Sequence, residues 1–437
     1  MAENQLIHSF DATFSVNGEL FTTEKYRELY SAMSEGSFVS RGAGVSYPLM
    51  SAGEQIRSIV SLQFDRILDF NSNTGVVKVE SGISLGKLLI FLRRNGWWLP
   101  TIPGHPSITV GGCVAVNAHG KSQYHSGLFG DSVVGLEVFH PRYGKMILGH
   151  QDQIFKLTLG GFGFTGHVLT ISIQCKKLPG QSIDKASIPC ANIFEAVEII
   201  TREKDKHDHV YSWNNLNLKG TSFGAGFVYC EKFSDDPSQD LEEFSELVMP
   251  PRDTAVDSLI SAFLKSQVSR LYSLKEMLGP KKQKMGVLVG AFPINGKEIY
   301  HRFFGKEGLL ESQIIIPQRE LGTVLEKLSK AIREFDEAVA LGSLKIFRGD
   351  HCYLNYVGNG VCLALNVPHS TKALSLFDKI DKICIDHQCL PNISKDSRIS
   401  GDVVAATYDG FHDFKKGIIN FDPDKKVQSA LRARLGL

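Results

Sequence analysis

A chain of 437 residues exceeds the usual size of one hydrophobic core, so two domains, or one domain with a large insertion, are expected. Hydrophobic residues at 43% and charged residues at 22% exclude a disordered chain. The 48 Lys+Arg against 47 Asp+Glu leave a net charge of +1 without a long basic block, which excludes a nucleic-acid binder.

No stretch reaches the ~18 apolar residues of a spanning helix, and the first residues lack a charged segment followed by an apolar run. The chain therefore reads as cytoplasmic, which leaves room for a peripheral membrane contact. The eight cysteines, at 113, 175, 190, 230, 352, 362, 384 and 389, show neither a C-x-x-C pair nor a zinc-type histidine segment. They read as reduced, mostly buried thiols, and no metal is expected.

Up to residue 178 the chain reads as short strands and turns with few helices. Phe38–Ser40 is a buried strand running into a glycine turn, and Gly75–Glu80 alternates as a strand does. Leu85–Asn95 carries apolar residues at helical spacing and stops at Gly96, and a hairpin follows near Pro141–Gly144. From residue 179 strands alternate with longer amphipathic helices, at Asn192–Arg202, Val256–Leu278 and Gln318–Phe335. Strands are expected at Gln313–Ile316, Ser343–Phe347 and Val361–Val367, the last preceded by a hairpin turn at Gly358-Asn359-Gly360. Cys384 and Cys389 fall on one expected helix and can touch. A cleft between the two parts is the expected ligand site.

Two glycine-rich segments stand out. Arg41-Gly42-Ala43-Gly44-Val45-Ser46-Tyr47 follows a strand and offers consecutive N–H groups to wrap a phosphate, although a plain tight turn explains it as well. The second, Pro103 to Gly120, is rich in small residues that let a backbone approach a flat or charged ligand; two nests suit a pyrophosphate. Gly161-Phe162-Gly163-Phe164-Thr165-Gly166 matches G-x-G-x-x-G, yet His167–Ile173 after it alternates like a strand where a nicotinamide fingerprint opens a helix. Its glycines are expected to permit a close chain crossing.

Together these segments resemble the vanillyl-alcohol-oxidase or PCMH type of FAD-binding superfamily, with its R-G-x-G-x-S-Y loop and its P-G-x-x-x-x-T-x-G-G…H-G segment. Within it the chain is similar to the decaprenylphosphoryl-ribose 2-oxidases, the flavin halves of two-enzyme sugar epimerases, through His119-Gly120-Lys121, Gln313–Pro317, Lys395-Asp396-Ser397-Arg398 and the terminal Phe421-Asp422-Pro423. The resemblance implies an α+β fold: a two-subdomain FAD-binding domain (1–178), an α+β substrate cap with an antiparallel sheet (179–390), and a segment (391–437) returning to the first domain.

Position by position, it implies FAD contacts at Ser40, Arg41, Gly42, Ala43, Gly44, Val45, Ser46 and Tyr47, continuing to Met50. Further FAD contacts are implied at Gly104, Thr109, Val110, Gly111 and Gly112, at Val116, Asn117, Ala118 and His119, and at Val168 and Asn392. The substrate face is implied at Tyr47, His119, Lys121, Gln313, Lys345, Cys362 and Lys395. Val45 stands where covalent relatives carry the flavin-bonding histidine, so the FAD is expected to be non-covalent. Asn392 and Glu311 stand where the sugar-oxidase branch has tyrosine and glutamine.

The implied reaction is oxidation of a secondary alcohol of a sugar, such as a polyprenyl-phosphoryl ribose, to a 2-keto sugar that a short-chain NAD(P)-dependent reductase partner would convert to the epimer. Lys395 is the first candidate to stabilise charge on reduced flavin; a solvated surface lysine is the plain alternative. His119 is equally a base or a structural histidine, and Tyr47 a catalytic hydroxyl or a buried one with a partner. Lys121 and Lys345 together suit a substrate phosphate, and Cys362 lines the pocket without a catalytic task. An aldonolactone or alditol oxidase and a non-catalytic flavin-binding protein are the alternatives.

Overall fold

The computed structural model describes residues 2–244, 272–296, 304 and 307–437. At the amino terminus the strands Ala2–His8, Ser15–Thr22, Arg57–Val60 and Phe38–Arg41 form a sheet in that order, antiparallel in the first pair and parallel in the others. The helix Tyr26–Ser34 buries Leu29, Ala32 and Met33 against Phe38, Ile59 and Phe64. The carboxy-terminal chain closes this layer: Phe38 N–H donates to Lys426 O, and Gln428 N–H donates to Phe38 O.

A second, five-stranded antiparallel sheet runs in the order Ile67–Asn71, Val76–Glu80, His167–Gln174, Val133–His140, Gly144–Leu148. Alternation explains its buried face: Val77 and Val79 point inward and pack with Ile171 and Ile173 against Leu85, Leu88 and Val114 of the helices Leu85–Arg94 and Val110–Val116. Ser84 caps the first helix by accepting from Lys87 N–H, and the expected hairpin at Pro141–Gly144 turns through Gly144.

Beyond it lie two four-stranded antiparallel sheets. One orders His209–Asn214, Gly226–Ser234, Ser182–Cys190 and Lys282–Gly286; the other orders Leu341–Phe347, Gly360–Pro368, Leu309–Pro317 and Leu390–Pro391. Their edges meet where Leu344 N–H donates to Ser212 Oγ at 3.0 Å. The helices Ile193–Glu203, Leu321–Phe335 and Thr371–His387 cover one face, onto which Leu310, Ile314, Ile316, Leu344, Leu363 and Leu365 project. With period two, Glu311, Gln313, Lys345 and Cys362 project from the opposite face. The fold is α+β.

Three sequence expectations change. Gly358–Gly360 is not a hairpin turn, because the paired strands Leu341–Phe347 and Gly360–Pro368 are joined by residues 348–359, which carry Tyr356 inward. Cys389 lies past the end of its expected helix, which closes at His387 with Gln388 in the left-handed region; its N–H still reaches Cys384 O at 3.0 Å. The segment Gln318–Glu320 is a 3-10 turn leading into the helix Leu321–Phe335. The expected helix Val256–Leu278 falls largely outside the described residues, of which 272–278 are helical.

Candidate active site

One continuous cavity of about 420 Å³ runs from the loop after Phe38–Arg41, past the segment 102–120, to the inner face of the sheet containing Gln313 and Lys345. Its first end is built from unsatisfied backbone. The N–H groups of Gly42, Ala43, Gly44, Val45 and Ser46 find no acceptor among the described residues. Gly44 sits at φ 68°, and a Cβ there would lie 2.3 Å from Arg41 Nη2, so only glycine lets the loop fold over the arginine beneath it. Facing the loop, the buried Ser81 hydroxyl also lacks a partner. Half-buried amides beside a buried hydroxyl, all without described acceptors, make a row that fits a pyrophosphate.

The second glycine segment works differently from the expected nest. Gly111 N–H donates to Ser81 O and Gly112 N–H to the Thr109 hydroxyl, so these groups are spent inside the protein. Gly42 and Gly111 are small because a Cβ would strike Thr109 at 2.3 Å and Ser81 at 2.9 Å: the glycines let two protein segments approach each other. The amides of His119 and Gly120 remain free of described acceptors, and both residues line the cavity.

Ser40, Gly42 to Tyr47, Met50, Gly104, Thr109, Gly111, Gly112, Val116, Ala118, His119, Val168 and Asn392 lie on the cavity wall. Five expected cofactor contacts do not: Pro48 and Leu49 are buried behind the loop, and three others turn away from the cavity. Arg41 turns under its loop and donates to Ser51 Oγ at 2.9 Å; Val110 is fully buried in the sheet–helix core. Asn117 ends its helix at φ 42° and accepts from Gly130 N–H at 2.7 Å, which points its amide into the protein.

The Gly160–Gly166 turn lies beneath the cavity. Gly160 and Phe162 N–H groups donate to Val114 and Ala115 carbonyls, and a Cβ at Gly166 would meet Phe139 O at 2.4 Å, so the glycines do permit a close crossing before the strand His167–Gln174. His167, which sequence reading did not single out, reaches the wall and bonds Ser40 Oγ at 2.9 Å. Burial lowers its pKa to about 4.

At the polar end the expected substrate residues separate into distinct tasks. Lys395 lies 4.3 Å above the Tyr47 ring and 3.6 Å from Glu311, whose carboxylate also accepts from Gln313 Nε2 at 2.7 Å and Asn366 Nδ2 at 2.9 Å. Asn392 donates to Gln313 Oε1 at 2.9 Å, completing a polar row. Tyr47 is buried and stacked on Phe10. His119 sits between Phe347 and Tyr356, and burial, then the Lys345 and Lys395 charges, hold its pKa well below the ordinary range.

Lys121 and Cys362 depart from expectation. Lys121 lines the cavity, but its ammonium is held by the buried Glu231 carboxylate at 3.0 and 3.1 Å, Gly290 O at 3.0 Å and Tyr211 Oη at 3.3 Å, so its charge is already neutralised. Cys362 lies behind the wall, its thiol 3.3 Å from Tyr356 Oη, and burial raises its pKa. Lys345 does line the cavity. Seven of the cysteines are buried and Cys352 is exposed, all eight as free thiols. Among the described residues no helix is long and apolar enough to cross a membrane.

Residues 23–147 match the family described as the FAD binding domain. Over 94% of its length the chain is 22% identical to decaprenylphosphoryl-beta-D-ribose oxidase of Mycolicibacterium smegmatis, of which it covers 92%. It is 27% identical, over 38% of its length, to L-galactono-1,4-lactone dehydrogenase 2 of Oryza sativa subsp. japonica, covering 26% of that protein. It is 26% identical, over 38% of its length, to D-lactate dehydrogenase of Anaerostipes hadrus, covering 34% of it. With an FAD-binding domain match laid over amides that suit a pyrophosphate, the chain is an FAD-dependent oxidoreductase that carries an FAD binding domain.

Proposed function

We propose that this enzyme oxidises a secondary alcohol of a sugar, with a polyprenyl-phosphoryl ribose giving the 2-keto sugar as the first substrate to test. The observation that carries this reading is that Asn392, Gln313 and Lys395, linked through the buried Glu311, stand beside Lys345 on the far wall of the cavity whose near end offers the phosphate-type amides. The similarity to the decaprenylphosphoryl ribose oxidase extends through these substrate-side residues, whereas the lactone and lactate dehydrogenase similarities cover little more than a third of the chain.

In this reading the loop Gly42–Ser46 and Ser81 hold the pyrophosphate of FAD, and Gly104, Thr109, Val116, Ala118, His119 and Val168 line the rest. Bound FAD supplies the two-electron oxidant. Val45 offers only a hydrocarbon, so the cofactor is held without a covalent bond. Residues 1–178 act as the two-subdomain flavin domain, 179–390 as the substrate cap, and 391–437 return to the flavin domain, as the Lys426 and Gln428 bonds to Phe38 favour. The row on the cap sheet grips the sugar hydroxyls, and Tyr47 supports Lys395, whose ammonium offsets negative charge next to it. A 2-keto product calls for a reductase partner to complete an epimerisation.

The test is anaerobic mixing of the purified yellow enzyme with a short-chain polyprenylphosphoryl ribose and, separately, with L-galactono-1,4-lactone. Bleaching of the flavin band by the ribose derivative is expected. Bleaching by the lactone alone would move the enzyme to the aldonolactone class, and no bleaching by either would withdraw the sugar-oxidase reading.

A further inference from the structure

Three lysines converge on the polar end of the cavity: Lys121, Lys345 and Lys395. Two of them have a carboxylate. Lys121 is paired with Glu231 and Lys395 with Glu311. The Lys345 side chain has neither a hydrogen bond nor an ion pair with any described residue.

Each neighbour of Lys345 is accounted for. On the adjacent strand Cys362 stands directly opposite it, a thiol kept protonated by burial and engaged with Tyr356. One strand further, Glu311 is committed to Gln313, Asn366 and Lys395. From the segments after the helix Val110–Val116 and after Leu390–Pro391 come the cations Lys121 and Lys395 and the neutral ring of His119. An ammonium in this half-buried position has lost part of its water and gained no carboxylate partner, and losing its proton relieves that cost. Burial lowers the Lys345 pKa, and the Lys121 and Lys395 charges add to this against the opposing Cys362 and Glu311.

We propose that Lys345 acts as a neutral amine that takes the hydroxyl proton of the alcohol as it is oxidised. The inference rests on the sugar-alcohol reading. As the substrate O–H bond breaks, its hydrogen forms the new N–H bond on Nζ, and the freed oxygen pair becomes the second bond of the carbonyl. The carbinol C–H pair leaves with its hydrogen as hydride, and the two-electron acceptor is the flavin. The ammonium returns its proton to solvent when product leaves. His119 is the other nitrogen base at hand. Its imidazole is wedged between two aromatic rings and weakened by both burial and cationic neighbours, so an amine remains the stronger acceptor.

The test compares Lys345→Arg and Lys345→Met with wild type in anaerobic flavin bleaching by a short-chain polyprenylphosphoryl ribose across neutral and alkaline pH. Arginine keeps the charge and cannot give up its proton. If Lys345 is the base, both variants bind FAD and lose roughly 10²–10⁴-fold in reduction rate. Small primary amines then restore the methionine variant in the order of their basicity. Wild-type rates in the arginine variant, or an unchanged pH profile in the methionine variant, would overturn the proposal. A second measurement does not need turnover: acetic anhydride labelling of the holoenzyme, read peptide by peptide against pH. A Lys345 midpoint well below that of the exposed Lys281 supports the neutral amine, and an ordinary lysine midpoint overturns it. Failure of the ribose derivative to bleach wild type, with a low Lys345 midpoint, counts against the substrate reading and leaves the amine assignment standing.

Discussion

Ser81 and Gly44 bear on the cofactor in different ways. The Ser81 hydroxyl is buried without a partner among the described residues, so it contributes when a ligand oxygen arrives. Ser81→Ala should weaken FAD binding by about tenfold, the worth of one hydrogen bond of roughly 1.4 kcal/mol, with the fold intact. Gly44→Val places a β-branched residue at φ 68° against Arg41. The backbone alone costs about 1–2 kcal/mol, and the loop must move, so a larger loss is expected. Titration of the apoprotein with FAD, followed by flavin fluorescence, checks both; wild-type affinity in Gly44→Val would show that the loop does not hold the pyrophosphate. Precipitation of the holoenzyme with acid should release all the flavin to the supernatant, since Val45 has no nucleophile; colour left in the pellet would contradict this.

His167 gives a pH dependence with a definite sign. Its folded pKa, about 4, lies below the ordinary 6.5, so the stability from keeping it neutral is complete above pH 6.5 and is lost as pH falls toward 4. The full effect is on the order of 3 kcal/mol at about 1.4 kcal/mol per pKa unit. Asp396 works in the opposite sense: burial raises it to about 6 from 3.8, so its contribution is complete below pH 3.8 and is lost as pH rises through 6. Urea midpoints measured over this range should fall in acid less steeply for His167→Asn than for wild type, and parallel curves would rule out the histidine as the source.

At the scale of elements, the inner sheet must serve two environments at once. Leu363 and Leu365 face the helices Leu321–Phe335 and Thr371–His387, while Cys362 faces the site side. Leu363→Ala opens a cavity in the first layer and should cost about 2–5 kcal/mol in thermal or chemical unfolding. Because Lys345 stands opposite Cys362 on the neighbouring strand, the flavin reduction rate should change little while stability falls. A variant as stable as wild type would mean the layer can collapse onto the gap. The strands expected at Gln313–Ile316, Ser343–Phe347 and Val361–Val367 lie within the observed strands of this sheet. The long connection 348–359 was not visible, because Gly358-Asn359-Gly360 carries local turn chemistry while its partner strand is chosen at a distance.

Across the whole molecule, Lys121 and Glu231 join the flavin-side loop to the strand Gly226–Ser234. The pair is buried, with His209 and Tyr211 also bonded to the carboxylate, and Lys121 with His209 lowers the Glu231 pKa far enough to keep it ionised. Glu231→Gln leaves a buried ammonium without its anion and should cost about 3–5 kcal/mol. Removing both charges, as in Lys121→Met with Glu231→Leu, should recover much of that loss. Calorimetric melting of the single and double variants measures the coupling; additive losses would show that the pair does not act as a unit.

The sequence by itself determined the features that depend on near neighbours: the strand-then-glycine loop at Ser40–Tyr47, the rejection of a helix after Gly166, the amphipathic helices and the flavin chemistry that follows. Glycine conformation and side-chain period are properties of a few consecutive residues, so a sequence carries them openly. Only the tertiary structure decided which lysine is left without a carboxylate partner among the described residues. Lys121, Lys345 and Lys395 look alike in the chain, but their partners come from 110 positions away in the case of Glu231, and from a different strand in the case of Glu311. Burial and ion pairing are set by what the fold brings within a few ångströms, and for the same reason Ser81, His167 and Tyr356 joined the site without a local signal to announce them.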